Sequence, residues 1–573
     1  MNLPRRPIAT ILVAGAMLLA VAMPGAGAAE QKAAASDVRE VGRRYRYGRD
    51  VPVQGPSEVR RVPASRVAVG AQRDWVGLDD VRHTYYIKPF TLRAEGDHAQ
   101  VWVASGSDST SSDLEFPSGD CRNDERVEIS DTQVHYLLRQ FDNNIWPKEA
   151  KALSVAPRRN GSDATLPNQV RDRNGHLVYP RDYWSGPGRK IVILVDNVRD
   201  SNFYDTDNQH NNTYIAGFFS RQVNELVDRN VMTIDAFDWV HRTGAHPPNA
   251  PTNDPCTNKV AKPFLYEQVF AHEYQHLLES YQDENEAVWV DEGMADWAMR
   301  LTGYADPRRP ITDNRFDNHI WAFLGFLGTA TEANPVPRVG GPENSLTMWG
   351  DQGDGRILDD YGAAWTFMET LAARYGNSFM GDLHRERASG LRGLRAVLRD
   401  RGIRITPRQL IHNWSAGVAL DGVLDDGAVL TGGNASRYRT RTLDATIDWD
   451  TPAGYASSGA PPNGADFVRL RSSDGTYLGA SDVESIAFTS PDPTHHFTVQ
   501  LVAYDDQHRG AWIARLPIGA NGTGSLSGAA LHEAIGDSAE TVAAIVSFDA
   551  APGDREYATY ELDVNGVTQP GGS

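Results

Sequence analysis

Two histidines and a glutamate, His272, Glu273 and His276, stand within five residues of one another. Residues four apart lie on one face of a helix, one turn apart, so both imidazoles can reach a single zinc ion at ~2.0–2.1 Å. A carboxylate that directly follows the first ligand can accept a proton from a metal-bound water. The spacing therefore predicts a helical zinc site with His272 and His276 as ligands and Glu273 as the general base.

A third ligand is expected from the segment 288–297, which contains Glu292 and Asp296. A catalytic zinc takes three protein ligands and keeps one position for water, so Glu292 is the predicted third ligand. Asp296 is predicted to accept the second ring N–H of a ligand histidine. A solvated acidic helix face is the alternative. The flanking Trp289 and Trp297 favour instead a buried helix, in which unpaired carboxylates are destabilising.

The motifs His-Glu-x-x-His and Trp-x-x-Glu-Gly-x-Ala together resemble the gluzincin class of zinc metallopeptidases. Over about 190–400 the chain is similar to secreted bacterial proteases of the hyicolysin type and to immune inhibitor A-like peptidases of actinobacteria. The resemblance implies a zincin-like catalytic domain in which Glu273 is the base and Glu292 the third zinc ligand. It also implies contact between Asp296 and a zinc histidine.

The sequence departs from related patterns at two positions. Glu279 stands where the immune inhibitor A and metzincin motifs have glycine, and Gln282 stands where a metzincin has its third histidine. The choice of third ligand therefore indicates gluzincin chemistry. Because Glu292 follows His276 by only sixteen residues, the loop between the two helices is expected to differ from that of thermolysin-like enzymes.

Amide hydrolysis also needs a donor for the oxyanion that develops on the carbonyl. Tyr361 is predicted to open a helix that ends at Gly376. This segment is similar to the Tyr-x-x-Gly-Ala element of gluzincin aminopeptidases, which implies that Tyr361 binds the tetrahedral intermediate. A tyrosine packed on the core is the alternative. The other candidate electrophiles are His241, His319, His384 and His412, although a lone histidine is more often structural.

The elements around these residues indicate an α+β fold with a mixed sheet and a helical active-site subdomain. A continuous apolar run at 190–195 predicts a central strand, and Ser130 with Gln133 predicts the start of a helix. The segment 213–219 is the candidate edge strand for binding a substrate backbone, with Gly217 allowing close approach; a buried central strand fits nearly as well. Further strands are expected at 84–92, 98–104 and 231–234, and 157–189 is expected to be a surface loop.

The predicted organisation is a signal peptide at 1–29, a linker or propeptide at 30–75, a zinc metallopeptidase catalytic domain at 76–430 and a β-sandwich at 431–573. The first segment has an Arg pair, an apolar stretch and a small-residue cleavage site; an uncleaved anchor is the alternative. The sandwich rests on predicted strands at 497–503, 511–516, 542–548 and 557–564.

Cys121 and Cys256 are the two cysteines of the chain. In an oxidising compartment one disulfide between them is the economical prediction, and two unpaired buried thiols are the alternative. The acidic runs 196–207 and 351–360 contain residue types that could hold calcium. Neither has the ligand spacing of a known calcium loop, so both are expected to be solvated turns.

The net charge of −19 opposes binding to nucleic acid and to anionic membranes, and neither is expected as a partner. The sequence therefore predicts a secreted zinc-dependent endopeptidase that acts on a protein or peptide substrate. One alternative is a secreted binding protein that uses the C-terminal sandwich, with a structural metal or none. Another is a zinc aminopeptidase, for which no carboxylate pair that would hold a free N-terminus is assigned.

Overall fold

The computed structural model describes the chain in ranges separated by gaps: 53–54, 67–106, 112–206, 215–252, 254, 256–309, 318–325, 341–350, 357–447, 449, 459–551 and 554–569. This part is mixed α+β, which confirms the predicted fold class at that level. The predicted signal peptide lies outside these residues, as does most of the predicted linker. No helix within the described ranges is both long and apolar enough to cross a membrane.

The first part of the described chain forms a seven-stranded sheet. Its strands are β1 (Val53–Gln54), β2 (Gln72–Asp79), β3 (Thr84–Glu95), β4 (Ala99–Ala104), β5 (Ile191–Asp196), β6 (Gly217–Phe219) and β7 (Val231–Asp235). They lie in the order β1-β3-β4-β5-β7-β6, with β2 paired to β3. β4, β5 and β7 are parallel, whereas β6 pairs antiparallel with β7. β5 is buried along its whole length, as its apolar run predicts.

Helices alternate with these strands and then follow them. They are α1 (Asp131–Gln140), α2 (Trp146–Ala152), α3 (Ser201–Tyr204), α4 (Arg221–Val227), α5 (Trp239–Arg242), α6 (Leu265–Gln282), α7 (Val288–Thr302), α8 (Asn318–Phe323), α9 (Ile357–Tyr375), α10 (Asn377–Arg385), α11 (Leu391–Asp400), α12 (Pro407–Asp425) and α13 (Gly528–Ile535). The predicted capping box of Ser130 and Gln133 begins α1. One turn of π-helix, Phe141–Ile145, joins α1 to α2.

The start of α9 differs from the prediction. The helix begins at Ile357, so Tyr361 lies in its second turn rather than at its start. Asp359 and Asp360 are buried in the first turn, and Asp360 accepts hydrogen bonds from Asn344 Nδ2 at 2.9 Å and from the Gly350 backbone N–H at 2.7 Å. The prediction of a solvated turn is therefore wrong for these two aspartates. Residues 351–356 of that run lie outside the described residues.

In the acidic run 196–207 the described aspartates are also buried rather than solvated, and residue 207 lies outside the described residues. Asp196 contacts Lys88 Nζ and accepts a hydrogen bond from the Tyr86 hydroxyl at 2.8 Å. Asp200 caps α3 by accepting the Phe203 backbone N–H at 2.8 Å, and burial raises its pKa to about 7. The expected solvated turn is wrong here because these carboxylates lie at the ends of a strand and a helix. At the N-terminus of a helix the first backbone N–H groups have no partner within the helix, so a carboxylate there can be buried and still accept hydrogen bonds.

Two further sheets form the last part of the described chain. One has the order β8-β12-β11-β14-β9 and the other the order β13-β10-β15-β16. Their strands are β8 (Val429–Thr431), β9 (Ala465–Arg469), β10 (Ser485–Thr489), β11 (Phe497–Tyr504), β12 (Gly510–Arg515), β13 (Thr523–Ser527), β14 (Thr541–Phe548), β15 (Glu561–Val564) and β16 (Val567–Thr568). Apolar side chains of both sheets, among them Phe488, Leu501 and Val546, share one buried cluster.

The main hydrophobic core runs from the seven-stranded sheet through the long helices and reaches the five-stranded sheet. It includes Ile193 of β5 and the inner residues of α6, α7 and α9, together with Phe467, Val502 and Ile545. α12 contacts β11, β12 and β14. The two parts of the described chain are thus packed on a common core.

A disulfide joins Cys121 to Cys256 across a sequence separation of 135, with a Cα–Cα distance of 5.5 Å. Beside it, the buried guanidinium of Arg126 donates to the carbonyl of Cys121 at 3.2 Å and to that of Cys256 at 2.7 Å. One arginine therefore satisfies a backbone oxygen from each end of the covalent link.

Candidate metal centre

The predicted metal ligands lie on two neighbouring buried helices. Every residue of α6 from Tyr266 to Ser280 is buried, including His272, Glu273 and His276. α7 supplies Glu292, which is also buried. Within the described ranges, these two histidines and Glu292 form the sole group of three or more metal-ligating side chains close enough to share one ion.

The three ligand atoms form a compact triangle. His272 Nε2 and His276 Nε2 are 2.9 Å apart, and Glu292 Oε2 lies 3.3 Å from the first and 3.2 Å from the second. A tetrahedral ion with bonds of ~2.0–2.1 Å separates its ligand atoms by about 3.3–3.4 Å. The two edges to Glu292 are close to this spacing, and the edge between the histidines is shorter, at 2.9 Å.

Each histidine is held by its own aspartate. His272 Nδ1 lies 3.0 Å from Asp296 Oδ1, as predicted from the orienting role of that residue, and His276 Nδ1 lies 3.1 Å from Asp291 Oδ1. An ionised carboxylate only accepts, so both Nδ1 atoms carry a proton, and Nε2 is the nitrogen of each ring that is left to bind a metal. Sequence reasoning missed Asp291. The signal that could have found it is the need of a second zinc histidine for an acceptor of its own.

The electrostatics of this group test whether a metal fits. Burial lowers the pKa of His276, but the carboxylates of Asp291 and Glu292 outweigh it and raise that pKa to about 10. Burial also raises the pKa of Glu292, yet the two imidazoles hold it well below its usual value. Without an ion, a proton on His276 balances the charge of the Glu292 carboxylate, and a divalent cation at the same point could take over that role once the proton has left. The residues fit a divalent metal.

Glu273 faces the edge strand of the seven-stranded sheet. β6 is the terminal strand among those described, which agrees with the predicted edge strand, although 213 and 214 lie outside the described residues. A Cβ added at Gly217 would lie 2.5 Å from Val269 Cγ1 and 3.3 Å from Glu273 Cγ. Glycine therefore permits this close approach of β6 to α6, and the side chain of the base candidate Glu273 lies beside the strand.

Tyr361 and His319 also lie near His272. The ring centroid of Tyr361 is 6.4 Å from that of His272 and 4.5 Å from that of His319, on which it stacks. His319 Nδ1 donates to Asp296 Oδ2 at 2.8 Å. Although burial raises the pKa of Asp296, His319 and His272 hold it below its usual value. One carboxylate thus connects a metal ligand to a second imidazole beside the tyrosine.

The remaining candidate electrophiles pair with carboxylates elsewhere. His241 contacts Asp238, and His412 Nε2 lies 2.8 Å from Asp549 Oδ1. His384 contacts Glu279, the residue that replaces the glycine of related motifs. Of the four histidines considered as electrophiles, His319 is the one for which the described part of the chain shows a hydrogen bond to Asp296 of the candidate metal centre.

No family model matches this chain, and no curated protein matches it.

Proposed function

We propose that the protein is a secreted zinc-dependent endopeptidase. The observation that carries this proposal is the triangle of His272 Nε2, His276 Nε2 and Glu292 Oε2, with each histidine oriented by a separate aspartate. Two histidines and one glutamate with a fourth position left for water are the ligand set of a catalytic zinc rather than of a closed structural site. The disulfide supports export, because such links persist in oxidising compartments.

In this proposal zinc would be held by His272, His276 and Glu292 and would supply a Lewis acid that polarises the scissile carbonyl. Glu273 accepts a proton from the attacking water and delivers it to the departing amine. The Tyr361 hydroxyl donates to the oxyanion, and the stacked His319 holds the phenol ring in position. Backbone groups of β6 bind an extended peptide by strand addition.

The packing of the strands and helices also supports the proposed peptidase fold. We infer a zincin-like arrangement for the seven-stranded sheet and α6, because the edge strand lies directly against the helix that carries the ligands. We infer a β-sandwich for the last two sheets, because apolar side chains from both share one core cluster.

The test uses an internally quenched peptide mixture with both ends blocked. The zinc-loaded protein is expected to cleave internal bonds, to lose this activity with a chelator and to regain it when zinc is added back. Cleavage of peptides with a free N-terminus only would show an aminopeptidase instead. Tightly bound stoichiometric zinc without cleavage of either substrate would overturn the proposal in favour of a structural metal.

A further inference from the structure

A second group of reactive side chains lies outside the metal centre. His384 of α10 has its Nε2 2.8 Å from the Oγ of Ser154, and its Nδ1 contacts Glu279 Oε2. Ser154 follows the end of α2, and Glu279 belongs to the last turns of α6. Three elements thus bring together a hydroxyl, an imidazole and a carboxylate in a hydrogen-bonded series.

The exposure of the three side chains is that expected for a serine nucleophile, which substrate must reach, and a buried histidine base. His384 and Glu279 are each 1% exposed, whereas Ser154 is half-buried. A carboxylate only accepts, so Nδ1 carries the imidazole proton and Nε2 accepts from the serine hydroxyl. This is the relation of nucleophile, general base and orienting acid that is recognised by geometry rather than by position in the chain.

Local packing fixes the contact and places a cation beside it. A Cβ added at Gly381 would lie 2.3 Å from the carbonyl oxygen of Ala152, so glycine lets α10 approach the end of α2. Arg385 donates from Nη1 to the carbonyl of Leu153 at 2.7 Å and from Nη2 to Asp382 Oδ1 at 3.0 Å, and its side chain is 47% exposed. The guanidinium thus fixes the residue before Ser154, while its charge is shared with a carboxylate.

We propose that Ser154, His384 and Glu279 form a second hydrolytic centre that acts on carboxylic esters. Ser154 Oγ forms a bond to the acyl carbon while its proton passes to His384 Nε2. The ester C–O bond then breaks, and the leaving alcohol takes that proton. Water attacks the acyl-serine, gives a proton to His384, and releases the carboxylic acid as the acyl–Oγ bond breaks and Oγ recovers the proton. This centre has no residue in common with the metal centre. An experiment can therefore disprove the esterase proposal without disproving the peptidase proposal, and the reverse.

The experiment treats the full chain with an alkyl fluorophosphonate and follows each serine by peptide mass spectrometry. Ser154 Oγ would form a bond to phosphorus, the P–F bond would break with loss of fluoride, and the proton would pass to His384. Ser436 is the internal reference, because it is exposed and its hydroxyl donates to Asn434 Oδ1 rather than to a base. Ser154 is expected to react at least about a hundredfold faster than Ser436, the scale of general-base assistance.

His384→Gln is expected to reduce the rate at Ser154 by the same factor and to leave Ser436 unchanged, with folding checked by thermal unfolding. Equal rates at Ser154 and Ser436 in the wild-type protein would overturn the proposal even if the variant does not fold. An undiminished rate at Ser154 in folded His384→Gln would overturn it as well. A merely structural hydrogen bond would give Ser154 no such advantage.

Discussion

At the scale of single residues, the orientation of each imidazole in the candidate metal centre depends on a carboxylate that is not itself a candidate ligand. Asp296 and Asp291 select the same tautomer in His272 and His276, and so turn both Nε2 atoms to one point. Asp296 has the further contact to His319. The two aspartates therefore hold their histidines in the same way, but Asp296 also contacts a third imidazole.

Asp291→Asn is expected to weaken zinc binding about 10–100-fold, because an amide cannot hold the imidazole tautomer as a carboxylate does. Asp296→Asn is expected to weaken zinc binding to the same degree. Competition with a chromophoric chelator measures both affinities. Glu284→Gln is the matched control, since Glu284 is exposed and pairs with Arg221. Unchanged affinity in both aspartate variants would contradict the assigned roles.

Glu273→Gln is expected to retain zinc, while its rate of peptide hydrolysis falls about 10²–10⁴-fold, the range of general-base catalysis. His276→Ala is expected to lose both, because it removes a ligand. Zinc content by elemental analysis and cleavage of the quenched peptide are measured on the same preparations. Hydrolysis by a zinc-loaded Glu273→Gln protein would remove Glu273 from the mechanism.

The grouping of His272, His276 and Glu292 could be predicted from the sequence, because the two histidines follow helical periodicity and a third ligand was expected from the next helix. Asp291 and His319 could not be predicted in their roles. Asp291 accepts a hydrogen bond from a histidine fifteen residues earlier, on α6. His319 of α8 donates to Asp296 of α7, a neighbouring helix. Contacts of this kind depend on how helices pack, which local patterns do not encode.

At the scale of elements, the strand β6 and the helix α6 are held together at a glycine. The methyl group of Gly217→Ala would meet Val269, so β6 or the Val269 side chain must shift, which disturbs the packing of the strand on the helix that carries Glu273. Hydrolysis is expected to fall while zinc affinity stays near the wild-type value, and overpacking should cost about 1–3 kcal/mol of stability. Kinetics and chelator competition separate these effects.

Gly479→Ala provides a control for that substitution, because its Cβ would lie 3.3 Å from the nearest atom and its φ of −86° suits any residue. It is expected to leave hydrolysis unchanged. Full activity of Gly217→Ala would show that β6 does not need its close approach to α6.

Element boundaries agree with the sequence-based prediction where capping and apolar runs are strong, as in α1 and β5. The start of α9 does not agree, because an acidic run suggests a solvated turn. The helix instead uses Asp359 and Asp360 in its first turn, where the helix dipole favours negative charge. The same residue types thus serve a turn or a helix start, and only tertiary burial decides between them.

At the scale of the whole molecule, stability should depend on pH through buried acids. Glu286 is 6% exposed and accepts the backbone N–H groups of Ala287 and Gly390, and burial raises its pKa to about 7. The folded state therefore holds a proton that the unfolded chain has released between pH about 4.5 and about 7. This contribution to stability is complete below that window and is lost as pH rises through it.

Glu286→Gln is expected to remove this loss, because an amide oxygen can accept the same backbone groups without ionising. The variant should gain on the wild type as pH rises, by up to about 3 kcal/mol above pH about 7. Urea unfolding across the window measures the difference. Glu284→Gln, on the exposed neighbour, should leave the pH profile unchanged, and parallel profiles for Glu286→Gln and the wild type would contradict the prediction.

The boundary predicted at residue 430 falls inside β8, which pairs with β12. Composition changes mark where strands begin, but they do not show that α12 packs on the sheet that follows it. For anyone preparing truncated forms, the consequence is practical. A fragment that stops before the two C-terminal sheets would expose the apolar side of α12 to solvent, because Val502 of β11 and Ile545 of β14 would be missing from the core that they share with this helix. Such a fragment is expected to precipitate on expression instead of yielding a soluble shorter protein.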